Sequence, residues 1–92
     1  PVALMEAMAM GMAVVTTNHG GMAELIEHND NGILVDEFDH KSMAAEMARL
    51  VGDENLRGRI GANAKKSIRE NELIYSSLQK FSSIIDTYKL KQ

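Results

Sequence analysis

"ALMEAMAMGMAVVTTNHGGMAELIEHNDNGILV", residues 3 to 35, decides the fold. It holds two short apolar runs, Ala13 to Thr17 and Ile33 to Val35, each preceded by a stretch of helical spacing. Val2 to Met10 is apolar nearly all round, which predicts a buried helix. Pro1 suits its first position, where an N–H would have no intrahelical partner. Gly11 is placed for a left-handed stop. Ala13 to Thr17 then predicts a strand covered on both faces, and Asn18 to Gly21 a turn. Gly21 to Glu27 predicts a helix with Met22, Leu25 and Ile26 inward, ended by the Asn31-Gly32 turn before the second strand. Strands separated by helices imply parallel pairing and an α/β class.

Beyond residue 35 the pattern is wholly helical. Asp39 is an expected N-cap for a helix through Val51 that places Met43, Met47, Leu50 and Val51 on one face, with Gly52 closing it. Asp53 caps a second helix over Glu54 to Glu70 carrying Leu56, Ile60, Ala64 and Ile68, although Gly58 and Gly61 oppose helix formation. A last helix, about Leu73 to Leu90, aligns Ile74, Leu78, Phe81, Ile85 and Tyr88 into a seam able to meet another helix. Two short strands make a poor sheet, and the chain opens at Pro1 without a methionine. It is therefore read as part of a longer protein.

Composition narrows the function classes. The formal charge of −3 and a pI near 5.5 oppose electrostatic binding of nucleic acid. The basic residues Arg57, Arg59, Lys65, Lys66 and Arg69 read as a solvated helix face. There is no cysteine, hence no disulfide or thiolate site. No apolar run approaches a membrane span of roughly 18 residues. His19, His28 and His40 read as loop residues without metal-ligand spacing. "EHNDNG", Glu27 to Gly32, reads as a polar turn, because Phe38 stands where a calcium loop needs its glutamate. Gly20-Gly21 reads as a tight turn, and Glu24 as a structural hydrogen-bond acceptor.

Glu6 is the exception, the only charged residue among the first eighteen. A carboxylate in a buried helix needs a partner or a cleft. Its side chain leans toward the helix start, where unpaired amides and the helix dipole favour anions. A phosphate at that end and a ribose one turn on would fit; a surface or ion-paired glutamate is the ordinary reading.

The quoted stretch with "LVGDENLRGRIGANAKKSI", residues 50 to 68, resembles the C-terminal part of a family 4 glycosyltransferase. The shared pattern is L-x-E-A-M-A-x-G-x-x-V-V, a Gly-Gly-x-x-E turn, an N-G-x-L-V strand and a D-x-x-L-R helix start, over about residues 1 to 70. The resemblance implies a retaining, nucleotide-sugar-dependent enzyme of the GT-B fold, with this chain as the C-terminal portion of the Rossmann-like donor domain. It implies that Glu6 hydrogen-bonds the donor ribose and that the amides of Val2 and Ala3 receive the diphosphate. The family's other glutamate would precede Pro1, so half a site and no catalytic residue is expected here. Neither metal nor cofactor is implied. The acceptor, a sugar or lipid, would be met by an N-terminal domain, in the cytoplasm or peripherally at the inner membrane face. Ala13 departs from the proline common in the family. The alternative is an α/β assembly module that self-associates through its last helix.

Overall fold

The computed structural model describes residues 2–81. The order is α1 (Val2–Ala9), β1 (Val15–Thr17), α2 (Met22–Leu25), β2 (Ile33–Val35), α3 (His40–Gly52), α4 (Glu54–Arg69) and α5 (Glu72–Phe81). β1 and β2 pair in parallel, with Val15 opposite Ile33 and Thr17 opposite Val35. The class is α/β, as the alternation of helix and strand requires.

α4 organises the core. Its Ala64 and Ile68 meet Met8 and Ala9 of α1, Ile26 after α2, and Leu78 of α5. Its Ile60 meets Ile33 and Val35 of β2 and Leu50 of α3. Gly11 adopts the left-handed conformation, φ 79°, that turns the chain after α1. Gly61, which sequence counted against the helix, lies where α4 crosses that turn. A Cβ there would collide with the Gly11 carbonyl oxygen. α4 also pins the preceding loop: Arg59 donates to the Asn29 carbonyl at 3.2 Å and Asn63 to the Asp30 carbonyl at 3.0 Å.

Several expectations are corrected. α1 is buried only in its second half, at Met8 and Ala9, while Val2, Ala3 and Met10 are exposed, because among the described residues α4 and α5 are the main elements packed on it. β1 begins at Val15 rather than Ala13 and is half-buried throughout, since among the described residues it has a strand neighbour on one side alone. α2 is a single turn, because Ile26 is already extended at φ −116°, ψ 124°. α3 ends at Gly52 as expected, to within a residue, but Gly52 is its last helical residue and does not take the left-handed conformation of a glycine cap. Arg57 instead reaches back to the carbonyls of Leu50 and Val51 at 2.8 and 3.0 Å, replacing a glycine cap. Leu50 is buried, yet Met47 and Val51 on the expected inner face of α3 are exposed. His40 is helical, the first residue of α3. Of the apolar seam, Ile74 and Leu78 pack into the chain's own core. The expected positions of Ile85 and Tyr88 and the end of that helix lie outside the described residues.

Asp39 caps α3 as its position predicts. Oδ1 accepts from the Ser42 N–H at 3.0 Å and Oδ2 from the Ser42 hydroxyl at 2.7 Å. These bonds hold its carboxyl below the usual range. A depressed folded pKa contributes stability above the unfolded value, near 3.9, that is lost as pH falls through the folded value. The expected result in circular dichroism is loss of helix content at the acid end, below about pH 4. Asp39→Asn, a good cap without a charge to lose, should flatten that limb; an unchanged acid limb in the variant would refute the assignment.

Candidate functional site

Because β1 and β2 end level, at Thr17 and Val35, the loops after them stand side by side. The Asn18 N–H donates to the Val35 carbonyl at 2.8 Å and ties the loops at their base. Further out, His19 Nδ1 lies 3.1 Å from Glu37 Oε1. A cleft of 290 Å³ sits beside them, lined by Thr17, Asp36, Glu37, Phe38, Asp39, His40 and Met43. Gly20 has φ 60° with open space around it, so the first loop needs glycine for its backbone and not for packing. Ligands of open α/β sheets sit at this carboxyl end of the strands.

The other candidate is the start of α1. Val2 and Ala3 are exposed, and Glu6 is half-buried less than one turn beyond Ala3. The first amides of a helix have no intrahelical acceptor, so an anion placed there finds donors and a favourable dipole. Val2, Ala3 and Glu6 thus share one helix end, as their spacing requires. Pro1 lies outside the described residues.

The histidines are not brought together. His19 is in the loop after β1 and His40 opens α3. The Nδ1 of His28 accepts the outward Leu34 N–H of β2 at 3.1 Å. Among the described residues no cluster of His, Cys, Asp or Glu is arranged to hold a metal. Glu24 is exposed in α2 rather than set into the fold as an internal acceptor. Sequence reasoning missed Phe38, the His19–Glu37 pair and Asn31. Only strand register could have signalled the pair, and register is not legible in two three-residue strands.

The sequence profile of the family described as Glycosyl transferases group 1 matches residues 1–67. The chain belongs to this family. It is 56% identical over 50 residues to the amylovoran biosynthesis glycosyltransferase AmsK of Erwinia amylovora, covering 54% of this chain and 12% of the relative. Against the sucrose-phosphate synthase of Spinacia oleracea it is 40% identical over 65 residues, 71% of this chain and 6% of that one. Against the capsular polysaccharide biosynthesis glycosyltransferase CapM of Staphylococcus aureus it is 31% identical over 77 residues, 80% and 20% respectively. The chain spans a fifth or less of each of these relatives.

Membership places the quoted motifs in one context. The α1 end, both strands and most of α4 lie within the matched residues, and α5 lies beyond them. This group 1 glycosyltransferase chain has the α/β architecture, with parallel strands and flanking helices, of the C-terminal part of a GT-B domain. No helix among the described residues is long and apolar enough to cross a membrane.

Proposed function

We propose that this chain is the C-terminal portion of the donor-binding domain of a retaining glycosyltransferase that needs no metal and uses a nucleotide-sugar. The exposed start of α1, with Glu6 held half-buried beside it, carries the reading. In this account the diphosphate rests against the Val2 and Ala3 amides, and the Glu6 carboxylate accepts hydrogen bonds from the ribose hydroxyls. Amides and helix dipole aimed at the leaving diphosphate stabilise the charge that develops as the glycosidic bond breaks. The sugar half of the site and the acceptor domain belong to the longer parent, so the chain alone is inactive. The names of AmsK and CapM favour a polysaccharide-building parent. In the same proposal that parent acts in the cytoplasm or peripherally at the inner membrane face.

Glu6→Gln in the intact parent tests this. Gln keeps the size and an acceptor oxygen but loses the charge-assisted bonds, so KM for the UDP- or GDP-sugar should rise about tenfold, equivalent to 1.4 kcal/mol. Unchanged donor KM and kcat would remove Glu6 from the site.

A second reading, an assembly module, draws on an apolar groove among Ala13, Val15, Met47, Leu50 and Val51. Light scattering of the chain decides it. A monomer at high concentration eliminates self-association. The last helix is a weak candidate for the contact, because its Ile74 and Leu78 are committed to the chain's own core.

A further inference from the structure

We infer that the Asn31-Gly32 turn before β2 is a site of spontaneous deamidation that the fold holds closed, so that local opening between α2 and α4 is converted into a permanent change of the chain.

Asparagine amides are thermally labile. The Gly32 nitrogen gives up its proton to hydroxide and attacks Asn31 Cγ. The Cγ–Nδ2 bond breaks, Nδ2 leaves as ammonia, and water opens the resulting cyclic imide to aspartate or isoaspartate. Glycine in the second position obstructs the attack least, since no side chain shields its nitrogen and its backbone turns freely. Of the six asparagines in the chain only Asn31 precedes glycine.

The fold requires both members of the pair. Asn31 is buried, its Oδ1 accepts from the Glu27 N–H at 2.8 Å, and its Nδ2 donates to the Leu25 carbonyl at 3.3 Å and to Ser67 Oγ at 2.9 Å. Gly32 is buried as well. A Cβ there would lie 2.8 and 3.0 Å from Ile26 Cδ1 and Cγ2 and 3.3 Å from Val14 Cγ2, so a larger residue would crowd the Ile26 contact. Packing therefore retains the labile dipeptide.

The same bonds hold the reaction off. A carboxamide bonded at both its oxygen and its nitrogen does not swing its carbon onto the Gly32 nitrogen, and two acceptors keep the departing amine in place. Water is close at hand, because Asn31 lines an open cleft with Glu24, Glu27, Glu70 and Glu72. Reaction thus waits on local opening. Once it has occurred, closure is opposed: the new carboxylate would face the Leu25 carbonyl and join four glutamates around one cleft. Isoaspartate also lengthens the backbone at a turn that has no slack.

The test incubates the intact parent at mildly alkaline pH and follows the amide-to-acid change at Asn31 by peptide mapping, with the free peptide of residues 27 to 34 as the unprotected reference. Native Asn31 should react at least about a hundredfold more slowly than the peptide. Hydrogen exchange at the Glu27 amide, which the Asn31 side chain covers, should show protection within about threefold of that ratio, because one opening exposes both. Ser67→Ala removes an acceptor from the amide and should raise the native rate about tenfold. Ser67→Thr, which keeps the hydroxyl, should stay within about twofold of wild type. If Ser67→Ala loses the fold, the two wild-type rates still decide. A native rate equal to the peptide's overturns the proposal, and so does an Asn31 that reacts far more slowly than exchange at Glu27 allows. The deamidated protein, separated by ion exchange, should have lost the Glu27 protection at neutral pH, and retained protection refutes the one-way step.

Discussion

Gly61→Ala should destabilise the chain by about 3 kcal/mol, the upper end of ordinary overpacking costs. The added methyl would strike the Gly11 carbonyl oxygen, with the Gly11 carbonyl carbon at 3.1 Å and the Ala13 nitrogen at 3.6 Å. All three are backbone, so no rotamer change can relieve the contact. Either α4 lifts off α1, opening the shared core around Met8 and Ala64, or the Gly11 turn distorts. For a chain of this size that cost lowers Tm by roughly 15 °C. Gly58→Ala is the control. It lies on the same helix with nothing within 4 Å of its Cβ, and there the gain in helix propensity should stabilise by about 1 kcal/mol. Thermal and urea unfolding of both variants checks the pair. Equal and small effects at the two positions would show that the helices do not approach as described.

The two glycines also show where sequence reasoning stops. Three residues apart on one helix, they look alike to a propensity scale. Only the crossing of α1 over α4 makes one indispensable and the other a liability. Periodicity was sufficient for the α/β class, the element order and the buried residues Ile60, Ala64 and Ile68 of α4, because a 3.6-residue repeat records which side of a helix is covered. The periodicity did not say what does the covering. Val2, Met10, Met47 and Val51 read as interior and are exposed, since few described elements are available to pack on α1 and the outer side of α3. Gly52 does end α3, yet nothing local announces that Arg57, in the next helix, caps the α3 carbonyls in place of a left-handed glycine.

The candidate site was legible in the same uneven way. Glu6 stood out as a lone charge in an apolar helix, and the helix start supplied its chemistry. Phe38, by contrast, looked like an ordinary loop residue, because neither a positive φ nor an exposed side chain leaves a trace in composition. The His19–Glu37 pair needed β1 and β2 to end level, which follows from register alone.

Asn31→Ala should cost about as much as Gly61→Ala, on the order of 3 kcal/mol, although the sequence presents Asn31-Gly32 as a plain polar turn. Asn31 is 4% exposed. Its Oδ1 accepts from the Glu27 N–H at 2.8 Å, and its Nδ2 donates to the Leu25 carbonyl at 3.3 Å and to Ser67 Oγ at 2.9 Å. Ser67 in turn donates to the Asn63 carbonyl at 2.9 Å. One amide therefore joins the end of α2, the loop before β2 and the last turn of α4. Alanine would leave a donor and two acceptors without their partner at part-buried positions, and each unmatched group costs about 1–3 kcal/mol where water does not reach it. Asn31→Asp separates shape from donor capacity. It keeps the acceptor toward Glu27 but turns a carboxylate toward the Leu25 carbonyl and Ser67. That environment raises the folded pKa of the new acid, so the variant should be least stable at neutral pH and recover as pH falls. A double-mutant cycle with Ser67→Ala should give a coupling of about 1 kcal/mol, because the two side chains share a bond. Additive effects, or an Asn31→Ala variant that melts with wild type, would show that the turn holds without the amide.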